Sequence, residues 1–156
     1  GHHQTGDEEV SMRSAIISHL SADAAVLAIV TSTAGPKIFP QVAPTSAAPP
    51  YITISKVSSF HARHLTAAEG VANPRYQIDS WATTSDAADA LFETVREALD
   101  HFYGGMGQNQ HTETVQGAFL EGEFDGFETP RGANQVDIFR VISEWSFWHT
   151  ETVPTH

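Results

Sequence analysis

The chain has 156 residues, 40% of them apolar and 17% charged, with nine Phe, three Trp and three Tyr; this composition suits one ordinary folded domain and excludes disordered and fibrous classes. Eight Lys and Arg stand against 19 Asp and Glu, a net charge of −11, with the basic residues scattered, so free nucleic acid is a poor partner because its affinity needs clustered cations to neutralise phosphates. There is no cysteine, which removes disulfide frameworks, thiolate metal sites and cysteine nucleophiles together.

In chain order, the first ten residues read as an extension or tag remnant outside the fold, 11–149 as a single α+β domain, and 150–156 as a C-terminal tail. Met12, Ile16, Ile17 and Leu20 recur at helical spacing after Glu8 and Glu9, predicting a first helix. Ser21 is positioned to cap a short second helical segment with Val26, Leu27 and Val30 as its apolar side, ending before Gly35 and Pro36. The longest strongly apolar stretch, 22–30, is far below the roughly 20 residues of a membrane-spanning helix, so no membrane is expected as a partner. Five prolines, Pro36, Pro40, Pro44, Pro49 and Pro50, then predict an extended surface connection, since proline fixes φ and donates no ladder hydrogen bond.

"YITISKVSS", 51–59, is rich in β-branched residues and predicts strand one; "RYQIDSWATT", 75–84, alternates Tyr76, Ile78, Ser80 and Ala82 with Arg75, Gln77, Asp79 and Trp81 and predicts strand two, antiparallel to it. The join of about fifteen residues is too long for a tight turn, which marks it as a loop with a task. Ser85 with Asp86 opens a helix expected to run to Tyr103, with Leu91, Val95, Ala98 and Phe102 as its buried stripe and "GGMG" as its stop. Strand three, 112–122, is expected to set Val115 and Phe119 on one face and Ala118 and Leu120 on the other. "FDGFETPRGAN" then turns into a long strand four, 136–149, with Phe139, Val141, Trp145 and Phe147 facing one way and Arg140, Glu144 and Trp148 the other. The expected architecture is α+β: a four-stranded antiparallel or mixed sheet packed against two main helices, with a long extended loop or arm between strands one and two.

Chemistry is sparse. His61, Arg63, His64 and Glu69 crowd into "SSFHARHLTAAEG", yet two histidines three apart share a side only on a helix, and Glu69 is the sole nearby third ligand. "GGMGQNQ" lacks the Lys and Ser or Thr of a phosphate-binding loop. No serine sits in a nucleophile elbow, and Asp79 with Glu144, the one carboxylate pair near tryptophans, fits the polar face of an amphipathic strand. No catalytic residue, metal ligand or cofactor is assigned. Trp81, Ile138, Ile142 and Trp148 put more apolar surface on the second face of strands two and four than a solvated sheet carries, to be covered by a helix, the Pro-rich loop or another subunit.

The segments "MRSAIISHLSADAAVLAIV", "KIFPQVAP", "PPYITISKV", "HARHLTAAEG" and "RYQIDSWATTSDAADALFETVREALDHF" together resemble the tail-completion, or tail-terminator, family of long-tailed bacteriophages and gene transfer agents, over roughly Met12 to Phe102 and more loosely to Trp148. The resemblance implies a non-enzymatic virion protein, assembled in the host cytoplasm and placed at the head–tail junction. There it forms a homo-oligomeric ring, commonly a hexamer, that caps the tail tube, stops its polymerisation and joins it to the head connector. It implies the major tail tube protein and the head completion or connector protein as partners, with DNA passing through the ring without specific binding, helped by the acidic charge. Under this reading the loop is an arm whose Phe60, His61, Arg63, His64, Leu65 and Glu69 touch a neighbouring subunit or the tube, and Trp81, Arg140 and Trp148 are further interface residues. Acidic residues on the third helix, Asp86, Asp89, Glu93, Glu97 and Asp100, are either a solvated face or channel lining. The alternatives are a head-completion or tube protein of the same particle and a small metallohydrolase built on the loop histidines.

Overall fold

The computed structural model describes residues 4–58, 61–62, 69–107, 113–128 and 137–152. Helix α1, Gln4–Ser21, begins earlier than its apolar pattern does, and its Met12, Ala15, Ile16 and Leu20 are buried at the spacing of one helical face. The chain then bends by 85° into α2, Ala24–Val30. The cap of α2 is Asp23 and not Ser21: the Asp23 carboxylate accepts from the Ala25 and Val26 amides at 3.0 Å, satisfying two donors the first helical turn leaves open. No single helix among the described residues is long and apolar enough to cross a membrane.

The Pro-rich stretch is more structured than an extended connector. Strands β1, Thr31–Ser32, and β2, Gly35–Pro36, close a small hairpin around Gly35 at φ 117°, a left-handed backbone that glycine adopts without strain. β3, Ile38–Pro40, then pairs in parallel with β4, Tyr51–Ser58. β4 pairs antiparallel with β7, Arg75–Ala82, as the alternating pattern predicted.

The segment between them is only partly loop. β5, His61–Ala62, and β6, Glu69–Ala72, pair with each other, and β6 joins the far end of β10, Ile138–Thr152, with Ala72 opposite His149 and Glu69 opposite Thr152. β10 therefore runs on through Thr150–Thr152, residues expected to form a tail.

Helix α3, Ser85–Leu99, is capped by Thr84, whose hydroxyl accepts from Ala87 N at 3.1 Å, one residue before the expected cap. It ends at Leu99, short of Tyr103, because Asp100 turns extended and Gly104–Met106 forms β8 against β9, Glu113–Glu128. Its buried face is Ala88, Leu91, Phe92, Val95 and Leu99. β9 continues to Glu128, so Phe124–Glu128, expected in the turn, are strand, paired with β10 up to Glu128 opposite Ile138; the rest of that turn lies outside the described residues.

Among the described residues the main sheet has eight strands, not the four expected. The four expected ones are its long members, in the order β4-β7-β10-β9; β3, β5, β6 and β8 were too short to show a period of their own. All pairings are antiparallel except β3 with β4, so the sheet is mixed. The helices lie on one face, over a core that includes Met12, Ile16, Leu20, Leu91, Val95, Tyr76, Trp145 and Phe147. His19 Nε2 bonds the Ala98 carbonyl at 2.9 Å and its ring meets Phe102 edge-on, tying α1 to α3 and its C-terminal continuation.

β9 also breaks its own alternation. Its register against β10 slips once at Gln116 and once at Glu121, each slip a bulge with one extra residue. Val115 and Ala118 therefore both face the core, while Phe119, expected beside Val115, turns outward and is 40% exposed.

One polar chain crosses the core: Trp145 Nε1 donates to Ser143 Oγ at 3.0 Å, and that hydroxyl donates to the Ile78 carbonyl at 2.7 Å, so the buried indole N–H is satisfied. Ser143→Ala strands that N–H, and equilibrium urea unfolding should show a loss of about 2 kcal/mol.

Candidate interaction surface

The sheet face away from the helices is built from alternate residues of β4, β7, β10 and β9. β4 supplies Tyr51 and Thr53, β7 supplies Gln77, Asp79 and Trp81, and β10 supplies Arg140, Ile142 and Trp148. Register sets Tyr51 opposite Trp81 and Trp81 opposite Arg140, which produces a row of rings capped by a cation. Phe39 meets Tyr51 at 6.1 Å, Tyr51 meets Trp81 at 5.6 Å, and the Arg140 guanidinium carbon lies 4.7 Å from the Trp81 ring centroid. Trp81 Nε1 donates to Thr53 Oγ1 at 3.0 Å, fixing the indole.

Arg140 also donates to Asp79 Oδ2 at 3.1 Å and approaches Glu128 at 3.9 Å, while Gln77 Nε2 donates to both Asp79 oxygens. The guanidinium reaches Asp79 because its stem lies across Gly126: a Cβ there would stand 2.8 Å from Arg140 Nε and 2.9 Å from Arg140 Cγ. Around these groups, with Gln41, Val42 and Ala43 of the Pro-rich loop at the rim, opens a depression of about 400 Å³. Asp79 is only 5% exposed, and burial holds its carboxyl above the usual carboxylate range although Gln77 and Arg140 pull the other way. Burial and the Glu128 carboxylate raise the Tyr51 phenol in turn.

Of the residues expected at an interface, Trp81 and Arg140 come together here. Trp148 shares their strand face but lies eight residues along β10 from Arg140, about 26 Å away at strand rise. The backbones of His61 and Glu69 lie in β5 and β6; Phe60, Arg63, His64 and Leu65 lie outside the described residues. Asp79 is bonded to Gln77 and Arg140 and makes no contact with Glu144. On α3, Asp86, Asp89, Glu93 and Glu97 are exposed, and Asp100 pairs with Arg96 at 3.6 Å. The residues sequence reasoning missed are Tyr51, Thr53, Gln77 and Glu128, together with exposed Phe124 and Phe127 on β9. Among the described residues no three His, Asp or Glu side chains converge on one point.

Residues 14–102 match the family model described as tail completion protein gp17. The chain belongs to the tail completion protein gp17 family. No curated protein matches it. Among solved structures it is similar to a chain in the virion of a native gene transfer agent particle, at 18% identity with a TM-score of 0.60, covering 87% of this chain and 92% of that one; at this identity the likeness concerns the fold. A tail completion protein is a structural component of the virion tail.

Arg140→Ala leaves Asp79 buried without its cation. The cost should be about 2 kcal/mol, below that of a fully enclosed pair because Arg140 is 28% exposed, whereas Asp79→Asn should cost under about 1 kcal/mol. The sign of the pH effect follows from burial: the folded chain binds the Asp79 proton more tightly than the unfolded chain, so this group adds stability as pH falls. The unfolding free energy of the wild type should therefore rise relative to that of Asp79→Asn between neutral pH and 3.8, as measured by urea titrations at each pH.

Proposed function

We propose that this tail completion protein assembles into a closed homo-oligomeric ring, a hexamer, that caps the tail tube, stops its polymerisation and presents the head-facing surface to the head completion or connector protein. The observation that carries this reading is the family match over residues 14–102. The fold suits it: with the helices on one face of the sheet, the opposite face is left with a row of aromatic rings and a cation, side chains favoured where subunits meet.

In the ring, the segment carrying Phe60, His61, Arg63, His64, Leu65 and Glu69 contacts the neighbouring subunit or the tube, and Trp81, Arg140 and Trp148 form a second contact. The partners are further copies of the chain, the major tube protein and the connector protein. DNA passes through without specific binding, since a net charge of −11 disfavours phosphate contacts. The role is structural and non-enzymatic.

Light scattering across a concentration series tests this. A discrete species near six times 16.9 kDa, constant in mass as concentration rises, is expected. Open-ended growth into filaments would overturn the ring in favour of a tube subunit, and a monomer carrying stoichiometric metal would overturn it in favour of a histidine-based enzyme.

A further inference from the structure

β9 has an open edge. β8 pairs with it only at Glu113–Val115, and the Ala118 carbonyl accepts from His101 N at 2.9 Å; from Phe119 to Glu128 no described residue pairs with the outer side of the strand. Folded proteins usually blunt such edges with proline, lysine or a very short strand, since a row of free N–H and C=O groups is a template for another strand. Between Phe119 and Glu128 this edge has no proline or lysine; its charges are all acidic, and past the one bulge at Glu121 it runs as regular strand from Gly122 to Glu128. It shows exposed aromatics instead, Phe124 and Phe127 at 53% each and Phe119 at 40%.

Its charge has one sign. From Glu97 to Pro130 the sequence holds no Lys or Arg, while β9 alone carries Glu121 at its second bulge and Glu123, Asp125 and Glu128 beyond it. Arg75 answers Glu121 and Arg140 answers Glu128, both at 3.9 Å; Glu123 and Asp125 have no cation among the described residues. The two faces of the edge also differ. Glu123 and Asp125 point to the helix side, where a cleft of about 280 Å³ adds Asp89 of α3. Gly122, Phe124 and Gly126 point to the other face; the Arg140 stem covers Gly126, while nothing lies within 4 Å of where a Gly122 Cβ would stand, which leaves room on that side of Phe124.

We propose that the open edge of β9 takes up an extended segment of a different polypeptide, one that alternates Lys or Arg with apolar residues. Main-chain hydrogen bonds to Phe119–Glu128 hold the segment. Its cations answer Glu123, Asp125 and Asp89 on one face, and its apolar side chains pack beside Phe124 on the other. A second copy of β9 is the wrong occupant, because antiparallel self-pairing sets carboxylates against carboxylates. The proposal stands apart from the ring, since any oligomer that leaves this edge open offers the same site.

The test uses the full chain and fluorescent ten-residue peptides read by anisotropy. A peptide alternating Lys and Val should bind at least tenfold more tightly than its Glu and Val counterpart. Two forms of the Lys peptide, N-methylated on one or the other set of alternate amides, should differ: one loses at least tenfold, the other binds like the parent, because only one side of an added strand pairs. Glu123→Lys combined with Asp125→Lys, checked for folding by circular dichroism, should reverse the charge preference. No binding of the Lys peptide, equal binding of both N-methylated forms, or an unchanged preference in the folded double variant would each overturn the proposal. Where the double variant does not fold, the N-methylated pair still decides.

Discussion

The two edges of β10 carry the structure. Along one edge it pairs with β7 and then β6, and along the other with β9, so Phe139 to Ser146 and His149 are registered from both sides. A slip of one residue would turn Trp145 and Phe147 out of the core and bring Arg140 and Glu144 in, a change the buried layer over the helices does not permit. The same register that buries Trp145 delivers Arg140 to the opposite face, between Trp81 on β7 and Gly126 on β9. The core and the row of Tyr51, Trp81 and Arg140 are thus two sides of one pairing decision.

Much of this was legible in the sequence, where the signal was local and periodic. Met12, Ile16 and Leu20 on α1, Leu91 and Val95 on α3, the alternation of β7 and the inward side of Val141, Trp145 and Phe147 were read from spacing alone, whereas Ala98 and Phe102, expected on the α3 stripe, are only partly buried and Phe102 lies beyond the helix. What escaped depended on partners distant along the chain. The ion pair of Asp79 and Arg140 spans 61 positions, and nothing near Asp79 announces its partner. β6 is a strand because β10 offers it an edge, and β5 because β6 in turn does, not because two or four residues show a period. Asp23 displaced Ser21 as a cap because the backbone turns extended at Asp23, a choice that two nearby capping residues leave open in the sequence.

The sheet face around Asp79 combines groups that would each be costly alone. Asp79 is nearly buried on a face that no helix among the described residues covers, and it is tolerated there because Gln77 and Arg140 supply donors. Such a network fixes side-chain positions before any partner arrives, and a preorganised surface loses less entropy on association than a mobile one.

The two bulges of β9 have a combined effect that neither has alone. Each adds one residue and so exchanges the faces of everything beyond it, but two exchanges cancel. Only Gly117–Leu120, the short window between Gln116 and Glu121, has inverted parity; from Gly122 to Glu128 the strand regains the phase it had at Val115. The pair behaves as a parity lock. Removing one extra residue would exchange the two faces of the strand across the pairs it shifts, whereas removing both would shorten the strand and leave the identity of its distal faces intact.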